Sequence, residues 1–211
     1  MAQKKESFFW TSYSDLMTSL FFVMLVLFVL VIVLLHKRME ATESQLQAIK
    51  EITESTKDLD SSEYFQFRPE YKKYQLTIEV KYPARQYELE TMITDDKDLL
   101  LSQLADAGHE IKNFLDKHNN NQYLLIIEGQ ASLDGYKENY ELSYLRAYAL
   151  IKYWIKTCNI EFGKNCEIVI SGSGDGQLPT NSIREENEKD NQRFLIHILP
   201  KNIFDNNESK K

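Results

Sequence analysis

The sequence predicts an α+β protein carried on one N-terminal membrane helix, and three observations lead there. Leu16 to Leu35 is a run of 20 residues without a charge. Further on, runs such as YQLTIEVKY (74–82) alternate apolar and polar residues as half-buried strands do. Between them, LLLSQLADAGHEIKNFL repeats its apolar residues at helical spacing. At 211 residues the chain has room for one anchor and one domain of ordinary size.

Residues 1–15 read as a short N-terminal segment and the start of the membrane helix, and 16–38 as the transmembrane helix itself. A helix rises about 1.5 Å per residue, so the charge-free run matches a hydrocarbon core of roughly 30 Å. The run is longer than a signal-peptide core and is followed by HKRMEATESQ rather than a small-x-small cleavage site, which predicts a permanent anchor. Lys4 and Lys5 on one side balance Lys37 and Arg38 on the other, so charge leaves the orientation open.

Asp15 is the only charge between Ser7 and Leu35. A carboxylate at the start of a span is costly in hydrocarbon and protonation relieves the cost, so the residue marks an ion or proton path. Thr11, Ser12, Thr18 and Ser19 lie within about one turn of it and form a small polar stripe suited to a partner helix. The competing reading makes Asp15 an interfacial helix-start acid, with Phe8, Phe9, Trp10 and Tyr13 as an aromatic belt.

Residues 39–73 read as a charged, partly helical connector whose heptad pattern fails at Thr53. The folded domain is expected over 74–200. Its first strand is 74–82, and the helix between Asp95 and His118 turns Leu100, Leu104, Ile111, Phe114 and Leu115 inward. A buried strand follows at 123–129, then a helix at 140–156 with Leu142, Leu145, Ala149, Tyr153 and Trp154 towards the core. Strands at 166–171 and 193–199 complete a β-α-β-α-β-β order, two layers with helices on one face of a mixed sheet. Residues 201–211 lack periodicity and read as a flexible tail.

Four of the 25 basic and two of the 32 acidic residues precede residue 39, which leaves 21 basic and 30 acidic side chains beyond it. No Lys/Arg cluster is present to neutralise phosphates, so nucleic acid is not an expected partner. The four histidines share no ligand spacing, no nucleophile-base motif occurs, and neither a metal nor a cofactor is indicated. SGSGDG follows a strand but does not open a helix, so it reads as a turn rather than a phosphate cradle. Cys158 and Cys166 are placed to close a short disulfide in an oxidising compartment, or else each simply packs.

The segment WTSYSDLMTSLFFVMLVLFVL resembles the membrane span of MotB-type stator proteins, where an aromatic residue and a short Ala/Ser/Tyr stretch precede Asp-x-Met-Thr and an apolar run. Trp10, Tyr13, Asp15, Met17 and Thr18 carry the match, which implies that Asp15 carries the ion, with Thr18 and Ser19 beside it. Residues 74–200 resemble the OmpA-like peptidoglycan-binding domain through Gly129, then Asn139, Leu142, Ser143, Arg146 and Ala147. Gly172, Gly174, Asp175 and Pro179, and finally Asn191, Gln192 and Arg193, continue the match. That resemblance implies that Asn139, Leu142 and Arg146 meet the wall peptide, the guanidinium taking a carboxylate. Gln130, Ala131 and Ser132 replace the family's His-Thr-Asp, and Asp134 stands two residues beyond as a candidate replacement for the missing acid.

Together the resemblances imply a non-enzymatic stator subunit in a bacterial inner membrane, its N-terminus cytoplasmic and its C-terminal domain periplasmic. The implied partners are a second copy of the chain, a MotA/ZorA-like multi-span protein forming a ring around the helix, and peptidoglycan. The implied ion is the proton, since only small hydroxyls accompany Asp15. The short N-terminus and the apolar run are most similar to ZorB, the MotB-like component of the Zorya anti-phage defence system. A flagellar stator subunit and a non-conducting OmpA-like membrane-to-wall anchor are the alternatives.

Overall fold

Residues 3–177 and 184–201 are described by the computed structural model. Pro179, residues 1 and 2, and the expected tail from residue 202 onward lie outside the described residues. The chain divides into two compact units, Met1–Gln47 and Ala48–Lys211.

The first unit is helical and belongs to α1 (Gln3–Ser55). Within α1, Trp10–Glu40 is long and apolar enough to cross a membrane by length and composition, with a mean hydropathy of 3.2 over its most apolar window. The side chains from Leu16 to Leu35 are all exposed, so the apolar surface runs around the helix instead of forming one stripe. An all-round apolar helix needs an apolar surrounding. The residues expected as a connector continue α1 as far as Ser55.

The second unit takes in α1 from Ala48 to Ser55 and continues with a 3-10 turn (Thr56–Ser61) and a short hairpin, β1 (Phe65–Arg68) and β2 (Lys73–Leu76). Then come α2 (Lys97–Lys117), β3 (Tyr123–Gly129), α3 (Asn139–Lys152), β4 (Cys166–Gly172) and β5 (Phe194–Pro200). The five strands form one mixed sheet in the order β1-β2-β5-β3-β4, with β3–β4 parallel and the other pairs antiparallel. The α+β class, the mixed sheet and the N-terminal apolar helix are as the sequence predicts.

Two boundaries differ. The fold begins upstream of Tyr74, because Leu59 and Phe65 are buried in the core and β1 pairs with β2. FQFR is only four residues long and runs into Pro69, too short for an alternation signal. The expected strand 74–82 shortens in the other direction, to a ladder ending at Leu76, although Leu76, Ile78, Val80 and Tyr82 keep alternate burial. Its neighbour β5 begins only at Phe194, so later backbone groups find other partners: Thr77 N–H donates to Tyr64 O (2.9 Å) and Tyr82 N–H to the Gln192 side chain (2.8 Å).

Helix α2 starts where Asp96 accepts from Leu99 N–H (2.9 Å), satisfying one of the free donors of a helix start. Its predicted inward residues are all buried. Helix α3 is rotated relative to the expectation: Ser143, Ala147, Leu150 and Ile151 face the core, as does Trp154 in the π turn (Tyr153–Thr157) that continues the helix, while Leu145, Ala149 and Tyr153 are only partly buried. The cause is close approach to the sheet. A Cβ on Gly129 would sit 2.0 Å from the Ser143 carbonyl oxygen, and one on Gly172 2.6 Å from Ser143 Oγ. Two glycines thus leave room only for the small face of the helix. Trp154, fully buried, donates from its indole to Leu104 O (2.6 Å) and joins α3 to α2.

Candidate functional site

The Gly129–Ser143 contact places the start of α3 beside the loops that follow β3 and β4. There Asn139, Leu142 and Arg146, spaced by three and four, share one side of the helix as i, i+3 and i+4 geometry requires. They line a cavity of about 300 Å³ whose other walls include Tyr82 and Asp134.

Arg146 is 3% exposed, and its guanidinium lies over the Tyr82 ring, 4.3 Å from the ring centre. Its described hydrogen bonds go to backbone carbonyls, from Nε to Gln86 O (3.1 Å) and from Nη1 to Gln130 O (3.5 Å). Burial lowers the guanidinium pKa, and the charges of Tyr82 and Asp134 act in the opposite sense. An arginine presents five N–H donors in a planar fork, so capacity remains for an anion.

Asn139, 2% exposed, donates through Nδ2 to Ser132 O (3.2 Å), Asp134 Oδ1 (3.0 Å) and Asp175 Oδ2 (3.0 Å). Its buried Oδ1 has no partner among the described residues, and neither does the buried Tyr82 hydroxyl. A buried polar atom left unpaired costs about 1–3 kcal/mol, which a ligand would recover. Burial raises the Asp134 pKa, but hydrogen bonds from Asn139 and the Tyr136 N–H, with the Arg146 charge, hold the carboxyl below its ordinary range. Asp134 thus faces the cavity as an anion, fastened to Asn139 rather than to Arg146.

Ser132 Oγ accepts from Gln192 Nε2 (2.9 Å), and Gln130 Oε1 accepts from Arg193 Nε (2.7 Å). Gln192 therefore ties Ser132 to the Tyr82 backbone across the cavity. Glu188 braces the same loop, accepting from Leu133 N–H (2.8 Å) and from Arg184 (2.6 Å). Asp175 was visible in the sequence as part of the Gly-x-Gly-Asp turn, without its role of holding Asn139. Tyr82 gave no signal beyond the alternation of its strand.

The remaining predicted residues lie elsewhere. Asp15, Thr18 and Ser19 are exposed on α1. The Thr18 hydroxyl donates to Ser14 O (2.7 Å) and that of Ser19 to Leu16 O (2.9 Å), both within the helix. Cys158 and Cys166 are free thiols, so the short disulfide is not made in the structure. Cys158 lies against the Tyr153 hydroxyl, and burial pushes the Cys166 thiol up to about 11. Among the described residues no group of three or more His, Cys, Asp or Glu is arranged to hold a metal.

No family model and no curated protein matches the chain. Among solved structures it is similar to a MotB-like protein from Desulfovibrio vulgaris, at 17% identity over 77% of this chain and 94% of that one, with a TM-score of 0.41. It is similar also to the periplasmic domain of Helicobacter pylori MotB (14% identity, 65% and 88% covered, TM-score 0.42). A third is the peptidoglycan-associated lipoprotein of Burkholderia pseudomallei (17% identity, 56% and 87% covered, TM-score 0.38).

Proposed function

We propose that this chain is a MotB-like stator subunit of a proton-driven rotary membrane motor, held by peptidoglycan and acting in anti-phage defence in the manner of ZorB. The observation that carries the reading is the cavity in which buried Arg146, hydrogen bonded among the described residues to carbonyls, stands beside Asn139, whose Oδ1 has no partner among them. A planar cation with free donors suits the carboxylates of wall stem peptides. Asp134 supplies an anionic edge where Ser132 has removed the usual one.

Asp15 supports the motor half of the proposal, as the one acidic residue between Ser7 and Leu35. In this reading the carboxylate takes a proton from the outer side, becomes neutral and fits a dry interface, then releases it inward as the partner moves. The driving force is about 2.3 kcal/mol per charge per 100 mV. A single span cannot enclose such a path, so a MotA/ZorA-like ring and a second copy of the chain complete it, and wall binding makes the work appear as rotation of the ring.

The non-conducting tether is the second reading, favoured by one observation: the Thr18 and Ser19 hydroxyls bond back to their own helix rather than to Asp15. Asp15→Asn decides between them. The motor reading expects loss of phage resistance, or of motility, with partner co-purification intact; full activity of the Asn protein would leave only the tether. A C-terminal alkaline phosphatase fusion tests the orientation and should be active if residues 39–211 are periplasmic.

A further inference from the structure

A second cavity lies across α3 from the Arg146 pocket. It is larger, about 460 Å³, and is lined by Tyr87, Glu88 and Leu145, with Tyr148, Lys152 and Lys156 among the others. The two cavities flank one strap of chain. Residues 82–85 line the Arg146 pocket, residues 87–90 line the second groove, and between them Gln86 O accepts from Arg146 Nε (3.1 Å). A polymer lying across this strap would reach both.

The lining chemistry narrows the occupant. Glu88 and Glu90 balance Lys152 and Lys156, so the groove carries no net sign and selects neither a polyanion nor a polycation. Tyr87 and Tyr148 stay 36% and 47% exposed, and Tyr144, one turn before Tyr148, is 43% exposed. Exposed tyrosines offer a flat apolar face with a polar tip, which suits a ring that is itself part apolar and part hydroxylated. Of the two chemistries in a bacterial wall, the stem peptides are charged and the sugar backbone is neutral.

We infer that this groove is a glycan subsite: Tyr87 and Tyr148 stack on N-acetyl sugar rings of the wall strand whose peptide enters the Arg146 pocket. Lys152 and Glu88 hydrogen-bond the sugar hydroxyl and acetamido groups. The inference rests on the wall-binding reading above, and its test separates the two.

The full-length chain in detergent is titrated with chitotetraose, a peptide-free N-acetylglucosamine oligomer, and is also pulled down on intact sacculi. The wild type should bind the oligomer. Replacing both Tyr87→Ala and Tyr148→Ala should weaken that binding by at least about fivefold, consistent with the energy of one or two aromatic contacts. Tyr148→Phe, which keeps the ring, should stay within about twofold for the same reason. Arg146→Ala should reduce sacculus retention. No oligomer binding by the wild type, or equal binding by the double variant, overturns the glycan subsite. Sacculus retention lost only with Arg146→Ala rejects the subsite and keeps the wall reading, whereas a wild type that ignores sacculi ends both. Both tyrosines are exposed, so the thermal midpoint should not move; if the double variant unfolds, Tyr148→Ala alone decides.

Discussion

Arg146 keeps its charge where burial opposes it, over the Tyr82 ring and against two carbonyls. Its removal tests the wall-binding proposal directly. Arg146→Ala should delete a charge-assisted hydrogen bond worth about 1.5–3 kcal/mol, weakening sacculus pull-down by at least about tenfold with the fold retained by circular dichroism. Asp134→Ala should also weaken it, since Asp134 is the carboxylate at the cavity that is bonded to Asn139; unchanged pull-down would mean that Asp134 only positions Asn139. At this scale the sequence was legible where the residues are local: Asn139, Leu142 and Arg146 share a helix, and their spacing alone puts them together. Tyr82, Gln192 and Asp175 reach the site from other elements, and nothing in their own neighbourhoods reveals where the chain will bring them.

Among the elements, α3 depends on absent atoms. Gly129→Ala would press a methyl group into the Ser143 carbonyl, a backbone atom that cannot rotate away. We expect at least about 1–3 kcal/mol of destabilisation, read as a lower urea midpoint, with loss of sacculus binding at temperatures where the fold persists. Trp154→Ala should cost about 3–5 kcal/mol, because it empties the space between α2 and the end of α3 and removes the indole hydrogen bond to Leu104 O. The apolar period announced α2 correctly, since its buried face is Leu, Ile and Phe. It misjudged the rotation of α3, whose buried face contains Ser143, Ala147 and Arg146, residues that a hydrophobic count passes over. Which side of a helix is hidden was decided here by glycines on two strands far along the chain.

Over the whole domain, the far side of the sheet holds a buried carboxylate, Glu128, accepting from Lys73 (3.0 Å) and bonded to His197 (2.8 Å). Burial pushes the Glu128 carboxyl up, but hydrogen bonds from His197 and Lys73 outweigh it and bring the pKa from 4.5 to about 2. A depressed folded pKa contributes stability above the unfolded value, and that contribution is lost as the pH falls from 4.5 to about 2. The urea midpoint of the wild type should therefore drop over this window, and Glu128→Gln should flatten that part of the curve. The sequence disclosed the layer order of this domain but not its upstream edge, because β1 is four residues of ordinary composition. That edge matters mechanically. The chain enters the sheet just before Phe65 and reaches the Arg146 pocket at Tyr82, and in β1–β2 the register pairs Phe65 with Leu76 at the end away from the 69–72 turn. A pull transmitted to Phe65 would act on the open end of this hairpin once Leu59 had left the core. Tension would then unzip the ladder one bond at a time instead of shearing it all at once.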